Sequence, residues 1–133
     1  MTDSVQKTSV LLVDDDKFLV DMYSMKFTQQ DFIVQACLSV SDALESLRAG
    51  YQPDAILFDL TMPERDGFAF LKSLLDEHLG EKAVKIALTN QSSDAEKAKA
   101  AELGADGYIV KATQIPSEVV NTVASTIRNQ KKS

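Results

Sequence analysis

The sequence predicts an α/β fold: a parallel five-stranded sheet with five helices covering both faces. Three observations carry this. Short β-rich runs alternate with stretches of helical periodicity along the whole chain. Several of the runs are apolar almost throughout, the pattern of strands buried on both faces. A length of 133 residues suffices for one domain with a sizeable core, and no second domain is visible.

Each element has its own signal. The first strand is Ser9 to Val13 (SVLLV). From Asp16 to about Gln30 apolar residues recur at helical spacing: Phe18, Met22 and Met25 make one stripe, widened by Val20, Tyr23 and Phe27. Phe32 to Cys37 (FIVQAC) is the second strand. Ser41 to Ala49 is a short helix with Ser41 as N-cap, Leu44 and Leu47 inward, and Gly50 as its stop. Pro53 opens the third strand, Ala55 to Phe58, which ends at Asp59. The loop Leu60 to Gly67 (LTMPERDG) turns at Pro63 and Gly67, and Phe68, Phe70, Leu71, Leu74 and Leu75 mark the third helix. Val84 to Leu88 is the fourth strand. Ser93 caps an alanine-rich helix that runs to about Leu103 and stops at Gly104. Gly107 to Val110 is the fifth strand, ending at Lys111. Pro116 sits just inside the last helix, whose packed stripe is Val119, Val123 and Ile127. The expected division is a polar tail over residues 1–8, a domain over 9–128 and a fraying polar tail over 129–133.

Composition narrows the chemistry. The formal charge is −6, with 44% hydrophobic residues, as in an ordinary soluble globule rather than a disordered chain. No apolar run approaches the roughly 20 residues of a membrane helix, and the polar start (MTDSVQK) is no signal peptide. A single cysteine, Cys37, excludes an internal disulfide framework, and a single His78 excludes a histidine metal cluster. Net acidity argues against direct nucleic-acid binding. A cytoplasmic domain working with carboxylates, hydroxyls and lysines is expected.

In open parallel sheets, ligands bind beyond the carboxyl ends of the strands. Four such ends carry polar residues: Asp14, Asp15 and Asp16 after strand one, Asp59 after strand three, Thr89 after strand four and Lys111 after strand five. Any one of them is ordinary where a strand meets solvent. Together they put several carboxylates on one edge, which requires a counter-charge. Carboxylates plus waters are the usual magnesium arrangement, and Lys111 adds a fixed positive charge. Carboxylates, a metal, a lysine and a hydroxyl suit phosphoryl transfer to a carboxylate nucleophile.

The VDDD after strand one, the FDLTMPERDG around Asp59, the LTN at Thr89 and the GYIVK ending at Lys111 resemble a receiver domain of bacterial two-component response regulators, the chemotaxis-type single-domain kind. The resemblance covers Ser9 to about Ile127. It implies a flavodoxin-like sheet of order 2-1-3-4-5, an order taken from the family and not from the pattern. It implies that Asp59 accepts a phosphoryl group from a sensor histidine kinase or a histidine phosphotransfer protein. Asp14, Asp15, Asp59 and the backbone carbonyl of Thr61 would hold Mg2+, with Asp15 direct and Asp14 through water. Thr89 resembles the switch hydroxyl, Lys111 the salt-bridging lysine, and Tyr108 the aromatic that follows Thr89. Thr61 and Gln91 resemble the positions that tune phosphoryl lifetime. The output would be a helix 4–strand 5–helix 5 surface that binds a downstream protein.

Two positions depart from the family pattern. Asn90 stands where a small residue is usual, and Ala112 where the lysine is usually followed by proline, often in cis. A cis bond before alanine costs about 2.5–4 kcal/mol against about 0.5–1 before proline, so Lys111–Ala112 is expected to be trans.

Two other readings compete. A metal-dependent phosphatase or phosphotransferase of small molecules also uses an aspartate after a strand, but Thr61 stands where its second aspartate belongs. A receiver cut from a larger DNA-binding regulator is the other. The remaining candidates read blandly: Asp16 as helix N-terminal charge, Cys37 as a small buried hydrophobe, His78 as a basic group at a helix end, and Lys72, Lys82, Lys85, Lys97 and Lys99 as solvated surface.

Overall fold

A computed structural model describes residues 7–62 and 65–131 of the chain. The predicted turn residue Pro63 and most of the predicted N-terminal tail lie outside the described residues, as do residues 132 and 133. The order is β1 (Ser9–Val13), α1 (Lys17–Gln29), β2 (Ile33–Cys37), α2 (Val40–Arg48), β3 (Ala55–Asp59), α3 (Gly67–Glu77), β4 (Val84–Thr89), α4 (Asp94–Glu102), β5 (Gly107–Val110), a 3-10 turn (Lys111–Thr113) and α5 (Pro116–Lys131). All strand pairs are parallel, in the order β2-β1-β3-β4-β5. The predicted strands all form; β2 starts one residue later than expected and β4 takes in Thr89.

Successive strand residues point to opposite faces, and the core divides accordingly. Leu11, Val13, Ile56, Phe58 and Ala87 face one side, where Leu44 and Leu47 of α2, Phe70, Leu71 and Leu74 of α3 and Ala100 of α4 cover them. Val10, Leu12, Leu57, Ile86 and Leu88 face the other, under Tyr23 and Phe27 of α1 and Val119, Val123 and Ile127 of α5. β3 is buried at every position, as its unbroken apolar run predicts.

The helices correct several expectations. On α1 the buried residues are Val20, Tyr23 and Phe27, whereas Phe18 is 76% and Met25 60% exposed. At about 100° per residue, Phe18, Met22 and Met25 lie on the far side of the helix from that trio. The helix thus carries two apolar stripes, and the sheet takes only one. The cap of α2 is Ser39, whose hydroxyl accepts from the Asp42 amide; Ser41 lies inside the helix. Leu75 is 51% exposed, because the core contact of α3 runs along Phe70, Leu71 and Leu74. Ser93 caps α4 as expected. The last helix continues to Lys131, taking in residues assigned to the fraying tail. Cys37 is buried, in keeping with its reading as a small hydrophobe.

Lys85 is not a solvated lysine. It alternates with Val84 and Ile86 on β4, so its side chain rises on the α3–α4 face of a buried strand, and burial pushes its pKa down. Lys99 is exposed, as expected of a surface lysine, with its ammonium 4.4 Å from the centre of the Phe68 ring.

Candidate functional site: an acid cluster with one lysine

Strand register builds the site. Val13 pairs with Phe58 between β1 and β3, so the next residues, Asp14 and Asp59, emerge side by side. Asp59 pairs with Leu88 of β4, and Thr89 with Val110 of β5, which places Thr89 and Lys111 one step further along the same edge.

Local structure then fixes each side chain. Asp14 Oδ1 accepts the Asp16 amide at 3.0 Å, and Asp16 caps α1 by accepting from the amides of Phe18 and Leu19, which matches its reading as helix-terminal charge. Asp59 Oδ1 accepts the Thr61 amide at 3.1 Å. The chain leaving β3 is held to β4 by Leu60 N to Leu88 O at 2.9 Å. Gly67 opens α3 against this turn: a Cβ there would lie 2.7 Å from the Asp59 carbonyl oxygen and 2.9 Å from Leu60 Cα.

Asp14 and Asp59 are the buried carboxylates among the described residues, at 3% and 4% exposure. Lys111 reaches across the strand ends to both, 3.0 Å from Asp14 Oδ2 and 3.5 Å from Asp59 Oδ2. Burial is the largest influence on Asp59 and raises its pKa, aided by Asp14; Lys111 and the Thr61 amide oppose it only in part. Burial alone would lower the Lys111 pKa, but its hydrogen bond to Asp14 and the charges of Asp14 and Asp59 outweigh it and raise it. Asp15 is exposed and makes no hydrogen bond to the described residues. One oxygen each of Asp14, Asp15 and Asp59 lie within 4.8 Å of one another. Such a set of hard oxygen donors, one of them uncommitted, suits a magnesium ion, which keeps several of its own waters.

The two hydroxyls expected to act together meet at one atom. Thr89 is buried at 4% exposure and donates to the Gln91 carbonyl at 3.1 Å. Tyr108, on β5, donates to the same oxygen at 3.4 Å. The Thr89 hydroxyl is therefore directed at the loop after β4. Thr61 and Gln91 are exposed at the rim. There is no cis peptide among the described residues, and Lys111–Ala112 opens a 3-10 turn instead.

The sequence places Tyr23 only in a packing stripe. Its buried ring on α1 brings a phenol within electrostatic range of Lys111, Asp14 and Asp59; burial, the largest influence, raises its pKa. Nothing in the sequence distinguishes it from the other stripe residues.

Comparison with known proteins identifies this architecture. The chain belongs to the response regulator receiver domain family, which it matches over residues 10–124. It is 32% identical over 108 residues to a chemotaxis protein CheY of Halobacterium salinarum, covering 81% of this chain and 88% of that one. Among solved structures it is similar to a CheY-like receiver domain protein of Methanospirillum hungatei (TM-score 0.86, 21% identity, 96% of this chain and 98% of that one). It is also similar to the chemotaxis protein CheY4 of Vibrio cholerae (TM-score 0.84, 25% identity, 91% and 99%). The chain is thus a receiver domain of the response-regulator class, with the strand order expected for it. No finding favours the small-molecule phosphatase. No helix among the described residues is long and apolar enough to cross a membrane.

Proposed function

We propose that Asp59 is the phospho-acceptor of a magnesium-dependent signalling switch in the cytoplasm. The observation that supports this most strongly is the juxtaposition of three carboxylates within 4.8 Å of one another with the Lys111 ammonium. An Asp59 oxygen attacks the phosphorus of a phosphohistidine on a histidine kinase or phosphotransfer protein. The new O–P bond forms as the N–P bond breaks, and its electron pair leaves with the imidazole. Asp14, Asp15, Asp59 and the Thr61 carbonyl would hold Mg2+, which neutralises charge on the transferring phosphoryl oxygens. Lys111 stays at the same edge, paired with Asp14 and free to exchange Asp59 for a phosphoryl oxygen. Phe18 and Ile115, 76% and 62% exposed at the start of α1 and just before α5, offer apolar contact beside the acids for the donor.

A phosphoryl group on Asp59 gives the Thr89 hydroxyl a charged acceptor in place of the Gln91 carbonyl, and charge-assisted hydrogen bonds are the stronger. Tyr108 then loses its co-donor at Gln91, and the change reaches the α4–β5–α5 surface and its protein partner. The protein's own chemistry is confined to taking and losing its phosphoryl group. Gln91 and Thr61, at the rim, govern water access and hence phosphoryl lifetime. The test is labelling with acetyl phosphate and Mg2+: wild type takes up one phosphoryl group, and continued labelling of Asp59→Asn would overturn the assignment.

A further inference from the structure

A cavity of about 330 Å³ opens between α3 and α4. Lys85, on its floor, is the second residue of β4, whereas Thr89 ends that strand. The cavity therefore sits at the opposite edge of the sheet from Asp59. Its apolar walls are Leu71, Leu74 and Leu75 of α3, Leu79 beyond it, and Leu103 at the end of α4; His78 and Glu81 also line it. This is the low end of the size of small-molecule sites, concave and mostly apolar, and too small for a helix.

The Lys85 ammonium faces this space, as does the His78–Glu81 pair. The Lys85 ammonium donates to the Ala83 carbonyl at 3.0 Å and has no carboxylate within 4.0 Å among the described residues. Its acidic neighbours act on it only from a distance and make their hydrogen bonds to other groups. Glu81 pairs with His78 at 3.2 Å, and Asp106 accepts the Lys85 backbone amide at 2.9 Å and the Gln130 amide at 3.3 Å. An ammonium has three donors, so two remain beyond the one given to the Ala83 carbonyl. Asp106 and Glu81 attract the ammonium from beyond contact distance, but burial outweighs them, and a carboxylate in direct contact would relieve that cost.

We propose that the α3–α4 cavity binds an amphiphilic carboxylate, with its apolar chain among the leucines and its carboxylate on the Lys85 ammonium. The Lys85 donors not taken by Ala83 select an anionic head, with Glu81 of the lining held by His78; the leucine walls select an aliphatic chain, and the half-exposed Leu75 marks the mouth. Such a ligand would bridge α3 to the end of α4, tying together two helices that flank the switch strand.

The experiment is a decanoate titration of the full chain, below the concentration at which it forms micelles, followed by backbone amide shifts. Saturable shifts are expected at Leu75, Lys85 and Gly104. Losing a charge-assisted contact should weaken binding at least about tenfold in Lys85→Met and for decanol in place of decanoate. Leu75→Glu, a change at the exposed mouth, should weaken decanoate further without unfolding the chain. Equal binding to Lys85→Met, equal binding of decanol, no saturable binding, or shifts confined to a second cavity, lined by Thr8, Phe32, Ala124, Ile127 and Arg128, would each overturn the proposal.

Discussion

Replacing Lys111 by methionine should destabilise the metal-free protein severely and make it depend on magnesium. The side chains of Lys111, Asp14 and Asp59 are 12%, 4% and 5% exposed, with contacts of 3.0 and 3.5 Å. They therefore fall in the regime of buried rather than surface ion pairs. Removing one partner of a buried pair costs about 3–5 kcal/mol, since a carboxylate is left without compensation. A domain of this size has about 5–15 kcal/mol in total, so the loss would show plainly in urea denaturation. Two controls tie the loss to charge. Asp14→Asn in the Lys111→Met background should recover a large part of it. Magnesium held by the folded acid cluster, as proposed, should raise the midpoint of Lys111→Met more than that of wild type, because the ammonium no longer competes at Asp14 and Asp59. A loss under about 1 kcal/mol, or the same magnesium increment in both proteins, would refute the view that Lys111 balances the acid cluster.

Other expectations follow from the same geometry. Gly67→Ala should cost about 1–3 kcal/mol through the clash with the Asp59 carbonyl and Leu60 backbone, and a thermal midpoint like that of wild type would contradict this. The Asp59 pKa is raised by burial, so its folded form favours the proton. The stability from that proton is complete below the ordinary aspartate range and is lost as pH rises through the raised value. In chelator at neutral pH, Asp59→Asn should therefore be more stable than wild type, with the gap closing toward acid pH; a gap that widens toward acid would reverse the sign. Ser39→Ala should cost about 1 kcal/mol and Ser41→Ala under about 0.5, as measured by denaturation; equal losses would return the cap to Ser41. Gln91→Ala should change phosphoryl lifetime while leaving the denaturation midpoint in place, and an unchanged lifetime would remove Gln91 from that role.

The parts of the fold legible in the sequence are those fixed by short-range constraints. Strands such as AILF at 55–58 have no polar side to misplace, and the acids and lysine directly after strands had to gather once the sheet was parallel. What escaped depended on choices between equivalent local signals. α1 has apolar residues on opposite sides, and only the sheet decides that Val20, Tyr23 and Phe27 go inward. Ser39 and Ser41 both precede the same helix, although Ser39 with Asp42 three residues on was the better capping pattern. Lys85 looked like a surface charge because a single lysine among β4 hydrophobes says nothing of which helices flank it. The Gln91 carbonyl, where Thr89 and Tyr108 converge, is a backbone atom and leaves no trace in residue identity.

The central claim is that the phosphoryl group resides on Asp59. The most direct measurement is to trap the acyl phosphate of wild-type protein, after reaction with acetyl phosphate and Mg2+, by borohydride reduction and to locate the reduced residue by peptide mass spectrometry. Reduction is expected at Asp59 alone, and is expected to vanish when magnesium is chelated. Reduction at Asp14 or Asp15, or phosphate found on a hydroxyl such as Thr89 with Asp59 unmodified, would contradict the account.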